Sequence, residues 1–389
     1  MRARRAGNGA GRPPMASAGD DAGAARRGPG AVGNGGIVAY GARSPARSAA
    51  EGHARTRGSW SIKRPPAIAA AGPNGEIRRM AQATRSTDQE EPTTRAGTVA
   101  LVGFPNVGKS SLMNRMVEQK LSIVTPLAQT TRQRVLGIDT RDGVQMVFVD
   151  TPGLVDPRYL LHRAMMHEAM EVIGDADVVL LLVDSSRGTP TLRDDVLEAV
   201  RRASSLIVVA NKIDVAKPED RRAVRDWARE RLGLEPWEVS AETGEGVEAL
   251  RAEIVGRLPA SPFLYPEEDV SSQPVRFFVA ELVRETIFEQ YEKEVPYSVA
   301  VKVEEFRENA SPVFIRAVIF VERPTQKAIL IGAGGGAIKR LGQAARHKVE
   351  EFVGAPVYLD LWVKVLPRWR KNPLELGRLG FTLPEEQRK

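Results

Sequence analysis

Two successive patterns of hydrophobic and polar positions run along the chain and change near residue 260. From Thr98, short apolar runs rich in β-branched residues alternate with amphipathic stretches of helical period. The runs are TVALVGF, VLGIDT, VQMVFVDT, DVVLLLVD, LIVVANK and WEVSA, and the helical stretches begin near Lys109, Tyr159, Thr191, Pro218 and Gly246. This alternation predicts βαβ units on a mostly parallel sheet, an α/β fold that binds ligands at the carboxyl ends of its strands.

The second pattern follows a turn-rich segment, PASPFLYPEEDVSSQP. An amphipathic helix over about 275–293 precedes two strands, YSVAVKVEEF and VFIRAVIFVE, whose connection is short enough for a hairpin. A glycine-rich stretch, a helix to about Phe352 and a last strand, VYLDLWVKV, complete the order. It predicts a small α+β domain.

Domain boundaries follow from these changes of pattern. Residues 1–93 are rich in Gly, Ala, Arg, Pro and Ser without apolar periodicity, which predicts a disordered N-terminal extension. An organelle transit peptide and a translation start at Met80 are two further interpretations of this segment. The predicted domains are then an α/β domain over 94–260, a linker over 261–273, and the α+β domain with a C-terminal tail over 274–389.

Composition and charge exclude several classes of protein. The longest strongly apolar run, VVLLLV, is far too short to span a membrane as a helix. The absence of cysteine excludes disulfides, thiolate metal sites and cysteine nucleophiles. The net charge is +9 over residues 1–90, −6 over 91–273 and +4 over 274–389, so the last segment is better suited than the middle one to meet nucleic acid.

The stretch GFPNVGKSS, Gly103 to Ser111, matches the phosphate-binding P-loop and stands between a predicted strand and a predicted helix. Backbone N–H groups of such a loop point at phosphate oxygens, and Lys109 would reach the β and γ phosphates. The Ser110 hydroxyl would ligate Mg²⁺. The predicted nucleotide-binding residues of this loop are Gly103, Asn106, Gly108, Lys109, Ser110 and Ser111.

The stretch VDTPG places Asp150 at the end of the third predicted strand, where its carboxylate would hold Mg²⁺ through water. Gly153 would offer its N–H to the γ-phosphate. In PLAQTTRQRV, a polar loop before that strand, a threonine would complete the magnesium shell, and Thr131 is favoured over Thr130. The predicted metal ligands are therefore Ser110, Thr131 and Asp150, and the predicted catalytic residues are Lys109, Thr131 and Gly153.

The stretch ANKID distinguishes guanine from adenine. Asp214 would accept two hydrogen bonds, from N1–H and the exocyclic amine of guanine, which adenine does not present together. Asn211 would touch the base edge, and Lys212 would lie over the ring. SAETG, with Ser240 and Ala241, would give a backbone N–H to the guanine carbonyl.

Leu154 stands where many GTPases carry a glutamine that positions the attacking water. The predicted enzyme is therefore a Mg²⁺-dependent GTPase with slow intrinsic turnover, on the order of 10⁻⁴ to 10⁻² s⁻¹.

The glycine stretch AILIGAGGGAIKRLG admits two interpretations. It satisfies the dinucleotide-binding pattern G-x-G-x-x-G/A, but about 50 residues remain after it, too few for a Rossmann half. If Pro324 begins a short helix that runs through Ile331, the glycines instead form a turn between two helices. Such a turn lets a single-stranded RNA backbone approach closely, as in KH domains.

Taken together, these phrases resemble the Era family of bacterial GTPases over about 98–381. The resemblance rests on GFPNVGKSSLMNR, QTTRQR, DTPGL, NKID, QPVRFFVAELVRE, EVPYSVAV, VERPTQKAILIG and LWVKVLPRWR. It implies GTP/GDP binding with Mg²⁺, a type II KH domain, and a role in maturation of the small (30S) ribosomal subunit through the 3′ end of 16S rRNA. It also suggests K⁺ coordination by Asn106.

The resemblance further implies a cytoplasmic monomer, with peripheral membrane association as a reported property of the family. The RNA-binding residues that it predicts are Gly332, Ala333, Gly334, Gly335, Lys339 and Arg340. Ala333 departs from the family, which usually has a basic residue inside this turn, and the two cations of the following helix would compensate. A GTP-regulated switch that docks to a membrane or a protein, without a ribosomal role, is the alternative function.

Overall fold

The computed structural model describes residues 94–384, so the predicted disordered extension over 1–93 lies outside the described part of the chain. Strands and helices alternate through the first domain. The strands are β1 (Arg95–Val102), β2 (Val135–Arg141), β3 (Val144–Asp150), β4 (Val178–Asp184), β5 (Leu206–Asn211) and β6 (Trp237–Glu238). The helices are α1 (Lys109–Val117), α2 (Leu160–Asp175), α3 (Asp194–Arg201), α4 (Pro218–Leu232) and α5 (Val247–Arg257).

These strands form one sheet in the order β2-β3-β1-β4-β5-β6, in which only β2 runs antiparallel to its neighbour. Helices cover both faces: Leu112 of α1 and Leu250 of α5 pack in one core, and Ala169 of α2 and Val196 of α3 in another. Strands covered on both faces must be apolar at nearly every position, as VVLLLVD is in β4. The predicted mostly parallel α/β sheet is confirmed.

The second domain packs three strands against helices. Its elements are α6 (Val275–Gln290), α7 (Val295–Ser298), β7 (Ala300–Arg307), β8 (Val313–Val321), α8 (Pro324–Ile331), α9 (Gly336–Val353), β9 (Val357–Val365) and α10 (Pro373–Arg378), with 3₁₀ turns at Ala333–Gly335 and Trp369–Lys371. The sheet order is β7-β8-β9, with β7 antiparallel and β9 parallel to β8. Alternate residues of β8, such as Ile315 and Ile319, share a core with Val283 of α6 and Leu341 of α9. The predicted α+β domain is confirmed.

Two elements of the second domain depart from the sequence prediction. The predicted strand YSVAVKVEEF begins three residues late, because its first two residues belong to α7, a single helical turn with Pro296 in its first positions. The described part of the C-terminal tail, as far as residue 384, contains α10, whose Leu376 packs in one cluster with Leu161 of the first domain. Trp369 is fully buried and shares a cluster with Leu161 and Met165 of α2.

Residues 261–273, the predicted linker, follow the outer edge of the large sheet. The Ile138 N–H of β2 donates to the Val270 carbonyl at 2.9 Å. The side-chain oxygen of Gln145 accepts from the N–H groups of Leu264 and Tyr265 at 2.8 and 2.9 Å. Edge-strand groups of β2 are thereby satisfied within the chain. Over the described residues, no helix is both long and apolar enough to cross a membrane.

Candidate functional site

The phosphate loop connects β1 to α1 with backbone angles that favour glycine. Gly103 has φ +154°, and a Cβ there would lie 2.5 Å from the Leu182 carbonyl oxygen. Gly108 has φ +96°, and its Cβ would lie 2.2 Å from Asn211 Nδ2. Any larger residue would displace the neighbouring strand ends, so the tight turn that aims N–H groups at a phosphate requires both glycines.

Lys109 is the first residue of α1, and its side chain is buried inside this loop. Its Nζ donates to the carbonyl oxygens of Gly103 and Phe104 at 3.1 and 3.0 Å. Burial lowers the pKa of Lys109 to about 8, against the opposing effect of the Asp150 charge. The loop therefore holds a desolvated ammonium group, which phosphate oxygens would stabilise.

The three predicted magnesium ligands come together from separate elements. Ser110 Oγ donates to Asp150 Oδ2 at 2.7 Å, and Thr131 Oγ1 donates to the same oxygen at 3.1 Å. The two hydroxyl oxygens lie 3.1 Å apart. Asp150 is fully buried, its Oδ1 has no hydrogen-bond partner in the described residues, and burial raises its pKa. Two hydroxyls and a buried carboxylate form an all-oxygen set of the kind that suits Mg²⁺.

The DTPG segment packs directly against the phosphate loop. A Cβ on Gly153 would lie 2.8 Å from the backbone nitrogen of Pro105. The Leu154 N–H donates to the Gly103 carbonyl at 3.0 Å, and the Leu154 side chain is buried. No polar side chain is therefore available at position 154 to orient a water molecule.

The predicted base-recognition residues lie at the ends of β5 and β6. Asn211 is buried, its Nδ2 donates to the Val107 carbonyl at 2.8 Å, and its Oδ1 accepts the Ala241 N–H at 2.9 Å. Asp214 is exposed in the turn after β5. Ser240 is buried, and its Oγ accepts the Thr243 N–H at 3.0 Å. Asn211 thus connects the phosphate loop to the SAETG loop. Its Oδ1 accepts the Ala241 N–H, which was predicted to bind the guanine carbonyl.

Lys212 and Asn106 face each other across the mouth of the loop. Lys212 Nζ donates to the Asn106 carbonyl at 2.5 Å and pairs with Asp184 Oδ2 at 2.7 Å. Asn106 has φ +64°, and its Nδ2 donates to the Pro126 carbonyl at 2.9 Å. Ser111, the last predicted nucleotide-binding residue of the loop, lies half-buried in the first turn of α1.

In the second domain, the glycine stretch forms a turn between α8 and α9, as the KH interpretation requires. Gly332, Gly334 and Gly335 have φ of +72°, +56° and +77°. Ala333 and Gly334 are exposed, and Lys339 and Arg340 are exposed on the first turns of α9. Because a helix and not a strand precedes the turn, the dinucleotide interpretation is excluded.

Comparison with known families matches both domains. The family model described as 50S ribosome-binding GTPase matches residues 98–212, and the KH domain model matches residues 294–370.

Whole proteins match across both domains and the linker. GTPase Era from Afipia carboxidovorans is 40% identical over 305 residues, which cover 77% of this chain and 98% of that protein. GTPase Era from Carboxydothermus hydrogenoformans is 39% identical over 292 residues, covering 74% and 98%. The chain belongs to the Era family of GTPases. It is therefore a GTP-hydrolysing enzyme, as its sequence predicted.

Solved Era structures have the same fold. The crystal structure of an Aquifex aeolicus Era variant bound to GDP and AlF₄⁻ is 35% identical, with a TM-score of 0.69, and the match covers 75% of this chain and all of that one. The same figures hold for an Era structure in complex with MgGDPNP and nucleotides 1506–1542 of 16S ribosomal RNA.

Within this Era-family fold, the loop that carries Thr131 is bonded to the KH domain by two arginines that were not among the predicted site residues. Arg132 Nη1 and Nη2 donate to the carbonyl oxygens of Val299 and Pro296 at 2.5 and 2.9 Å. In the opposite direction, Arg284 of α6 donates to the Thr130 carbonyl. Both guanidinium groups lie over the ring of Phe288, at 5.9 and 5.5 Å from its centre.

These arginines were missed because their partners lie more than 150 residues away in sequence and are backbone carbonyls, which carry no residue signature. The consequence is structural: the residue next to the predicted metal ligand Thr131 reaches directly into the KH domain.

Proposed function

We propose that this protein is a GTP-dependent switch that binds 16S rRNA near its 3′ end and acts in biogenesis of the small ribosomal subunit. The observation that carries the proposal is that one folded unit contains both a phosphate-binding loop and a glycine turn of the kind that binds RNA in KH domains. An Era structure that matches along its whole length is described in complex with MgGDPNP and nucleotides 1506–1542 of 16S ribosomal RNA.

In the proposed complex with GTP or GDP, N–H groups of the phosphate loop and Lys109 hold the phosphates. Ser110, Thr131 and Asp150 would hold Mg²⁺, directly or through water, and the metal would supply charge neutralisation at the β and γ phosphates. Gly153 would donate its N–H to the γ-phosphate. The buried Oδ1 of Asp150, without a protein partner among the described residues, supports this assignment.

Guanine recognition would fall to the exposed Asp214 carboxylate, which accepts two hydrogen bonds from the base. Asn211 and Lys212 would flank the ring. Ala241 would share its N–H between Asn211 Oδ1 and the guanine carbonyl, because a single N–H can serve two acceptors.

Hydrolysis would be slow, because Leu154 supplies no group to orient water. K⁺ held near the phosphates by the Asn106 side chain would add positive charge where the transition state develops negative charge. The strained φ of Asn106, on the loop beside Lys212, supports a functional role for this residue.

RNA would bind at the glycine turn over 332–335, with Lys339 and Arg340 contacting phosphates. We assign the GTPase domain to 94–260, the linker to 261–273 and the KH domain to 274–389. Action as a cytoplasmic monomer, with any membrane association peripheral, completes the proposal.

The test is crosslinking of the protein to RNA in cells, followed by mapping of the bound nucleotides. Enrichment of the 3′ end of the small-subunit rRNA is expected, and it should be lost in Gly334→Asp, which adds a carboxylate to the turn. Lys109→Ala should lose GTP binding and should still bind RNA. Crosslinks spread evenly over cellular RNA, or retention on anionic vesicles in place of ribosomal particles, would contradict the proposal.

A further inference from the structure

Arg115 lies on α1, at the opposite end from the phosphate loop, and contacts the SAETG loop. Its Nε donates to the Ala241 carbonyl at 2.5 Å, and its Nη2 donates to the Glu242 carbonyl. No motif of the nucleotide site includes this residue. The helix that begins at the phosphate loop therefore carries, in its last turn, an arginine that is hydrogen-bonded to the loop proposed to meet the base.

The SAETG loop is shaped around that guanidinium group. Gly244 has φ +91°, and a Cβ there would lie 3.0 Å from Arg115 Nη1. The Gly244 N–H closes the loop on the Ser240 carbonyl at 2.8 Å. A residue with a side chain at position 244 would both strain the backbone and press on the arginine, so the glycine leaves the space that the arginine occupies.

The peptide groups around Ala241 are consequently fixed from two sides. Asn211 accepts the N–H of Ala241, and Arg115 binds the carbonyls of Ala241 and Glu242. Asn211 is itself tied to Val107 of the phosphate loop. Asn211 and Arg115 therefore both connect the SAETG loop to the phosphate loop and its helix α1. Of the two residues, only Asn211 belongs to a nucleotide-binding motif.

We propose that Arg115 is a positioning residue for base specificity, which sets the distance between the phosphate cradle and the N–H of Ala241 so that this N–H meets the oxygen at purine position 6. The inference rests on the proposed guanine site. Its ligand class is a purine nucleotide with a hydrogen-bond acceptor at position 6, independently of the amine at position 2, which Asp214 would read.

Ligand substitution separates positioning from general stabilisation. In 6-thio-GDP a sulfur, a weak acceptor, replaces the oxygen that the Ala241 N–H would meet, while the groups facing Asp214 are kept. Inosine diphosphate lacks the exocyclic amine but keeps the oxygen. Dissociation constants for GDP, 6-thio-GDP and inosine diphosphate would be measured by calorimetry on the full chain and on Arg115→Met.

The control is Arg257→Met. Arg257 also donates to a backbone carbonyl of the GTPase domain, that of Leu206 at 3.0 Å, but it lies on α5 beside the start of β5, away from the strand ends that carry the base site. Arg115→Lys is the conservative variant, because it keeps the positive charge. One ammonium group cannot reproduce both hydrogen bonds of the guanidinium group.

We expect Arg115→Met to weaken GDP binding about fivefold to tenfold, the effect of a misplaced hydrogen bond, while Arg257→Met leaves it unchanged. The penalty for 6-thio-GDP relative to GDP should shrink in Arg115→Met, since the contact is already impaired. The penalty for inosine diphosphate should be the same in both proteins. Arg115→Lys should give an intermediate result.

An unchanged 6-thio-GDP penalty in Arg115→Met would overturn the inference, as would an equal loss of GDP affinity in Arg257→Met. Failure of the proposed guanine site is distinguishable, because Asp214→Asn would then leave the preference for GDP over inosine diphosphate intact. If Asp214→Asn abolishes that preference and Arg115→Met changes nothing, the guanine site stands and only the positioning role is wrong.

Discussion

Glu168 of α2 illustrates how burial can outweigh an ion pair at the scale of one residue. Its side chain is only 13% exposed, and Arg134 Nε lies 3.7 Å from its carboxylate. Burial raises the pKa of Glu168 to about 7, against the opposing effect of Arg134. Since the folded state then holds this proton more tightly than the unfolded chain, the stability contribution of Glu168 falls as pH rises from about 4.5 to 7.

We therefore expect Glu168→Gln to leave stability nearly unchanged at pH 5 and to raise the free energy of unfolding at pH 8 by on the order of 1–3 kcal/mol. Urea denaturation midpoints at the two pH values measure the difference. Glu230→Gln, at an exposed position of α4, is the control and should show no such pH dependence. A loss of stability at pH 8 in Glu168→Gln would mean that the pair with Arg134 dominates.

Asp214 carries the next prediction, on the choice of base. Asparagine at position 214 offers one acceptor and one donor, which match the carbonyl at position 2 of xanthine in place of the guanine amine. Asp214→Asn should weaken GDP binding at least 100-fold, because the guanine amine then faces a second donor in place of an acceptor, and should improve binding of xanthosine diphosphate. An unchanged preference of the variant for GDP over xanthosine diphosphate would argue against base reading by this carboxylate.

At the scale of elements, the glycine turn between α8 and α9 exposes Ala333 beside Lys339 and Arg340. Ala333→Lys places a further cation where an RNA phosphate would lie. We expect about threefold tighter binding of single-stranded RNA and a salt dependence steeper by about 0.7 in log–log slope, the value for one more phosphate contact. Leu374→Lys adds the same charge at an exposed position of α10 and should have less effect on both quantities.

The elements themselves differ in how well the sequence predicts them. The helix over 324–331 and the strand over 357–365 are predicted to the residue, because a proline start and an apolar run bounded by turn residues are local signals. Helix α10 is also capped locally, by Asn372, whose side chain accepts the Leu374 N–H at 3.0 Å. Its six residues are too short for a periodic pattern, and what orders them is contact with α2, about 200 residues earlier.

The candidate site divides in the same way. The phosphate loop, the predicted metal ligands and the base motifs have characteristic residue types and spacings, because each side chain or turn would meet the nucleotide itself. A single sequence therefore suffices to predict them. Arg115, Arg132 and Arg284 act on backbone carbonyls of distant segments. Any arginine on a predicted helix or loop could do so, and only the folded geometry identifies these three.

At the scale of the whole molecule, the reciprocal contacts of Arg132 and Arg284 join the loop of Thr131 to the KH domain. Arg132→Ala leaves the buried carbonyls of Val299 and Pro296 without donors and should lower the free energy of unfolding by about 2–4 kcal/mol. Amide exchange in α7 and β7 should accelerate. The ratio of RNA affinities with a GTP analogue and with GDP should move towards one.

The matched comparison is a double-mutant cycle with Arg284→Ala. Because both guanidinium groups share the ring of Phe288, their effects should be non-additive by about 0.5–3 kcal/mol. Strict additivity, together with an unchanged affinity ratio, would show that the two arginines only stabilise the interface.

Residues 261–273, the predicted linker, lead to an expectation for engineered variants of the protein. This stretch is hydrogen-bonded to β2 and to Gln145. It therefore does not behave as a random coil, whose length would set the effective concentration of one domain near the other. Glycine and serine residues inserted there would form a surface loop. The position of the KH domain relative to the predicted nucleotide site would stay unchanged. Replacing Gln145 would instead free this segment from the sheet edge. Only then would the length of the inserted segment affect the distance between the domains.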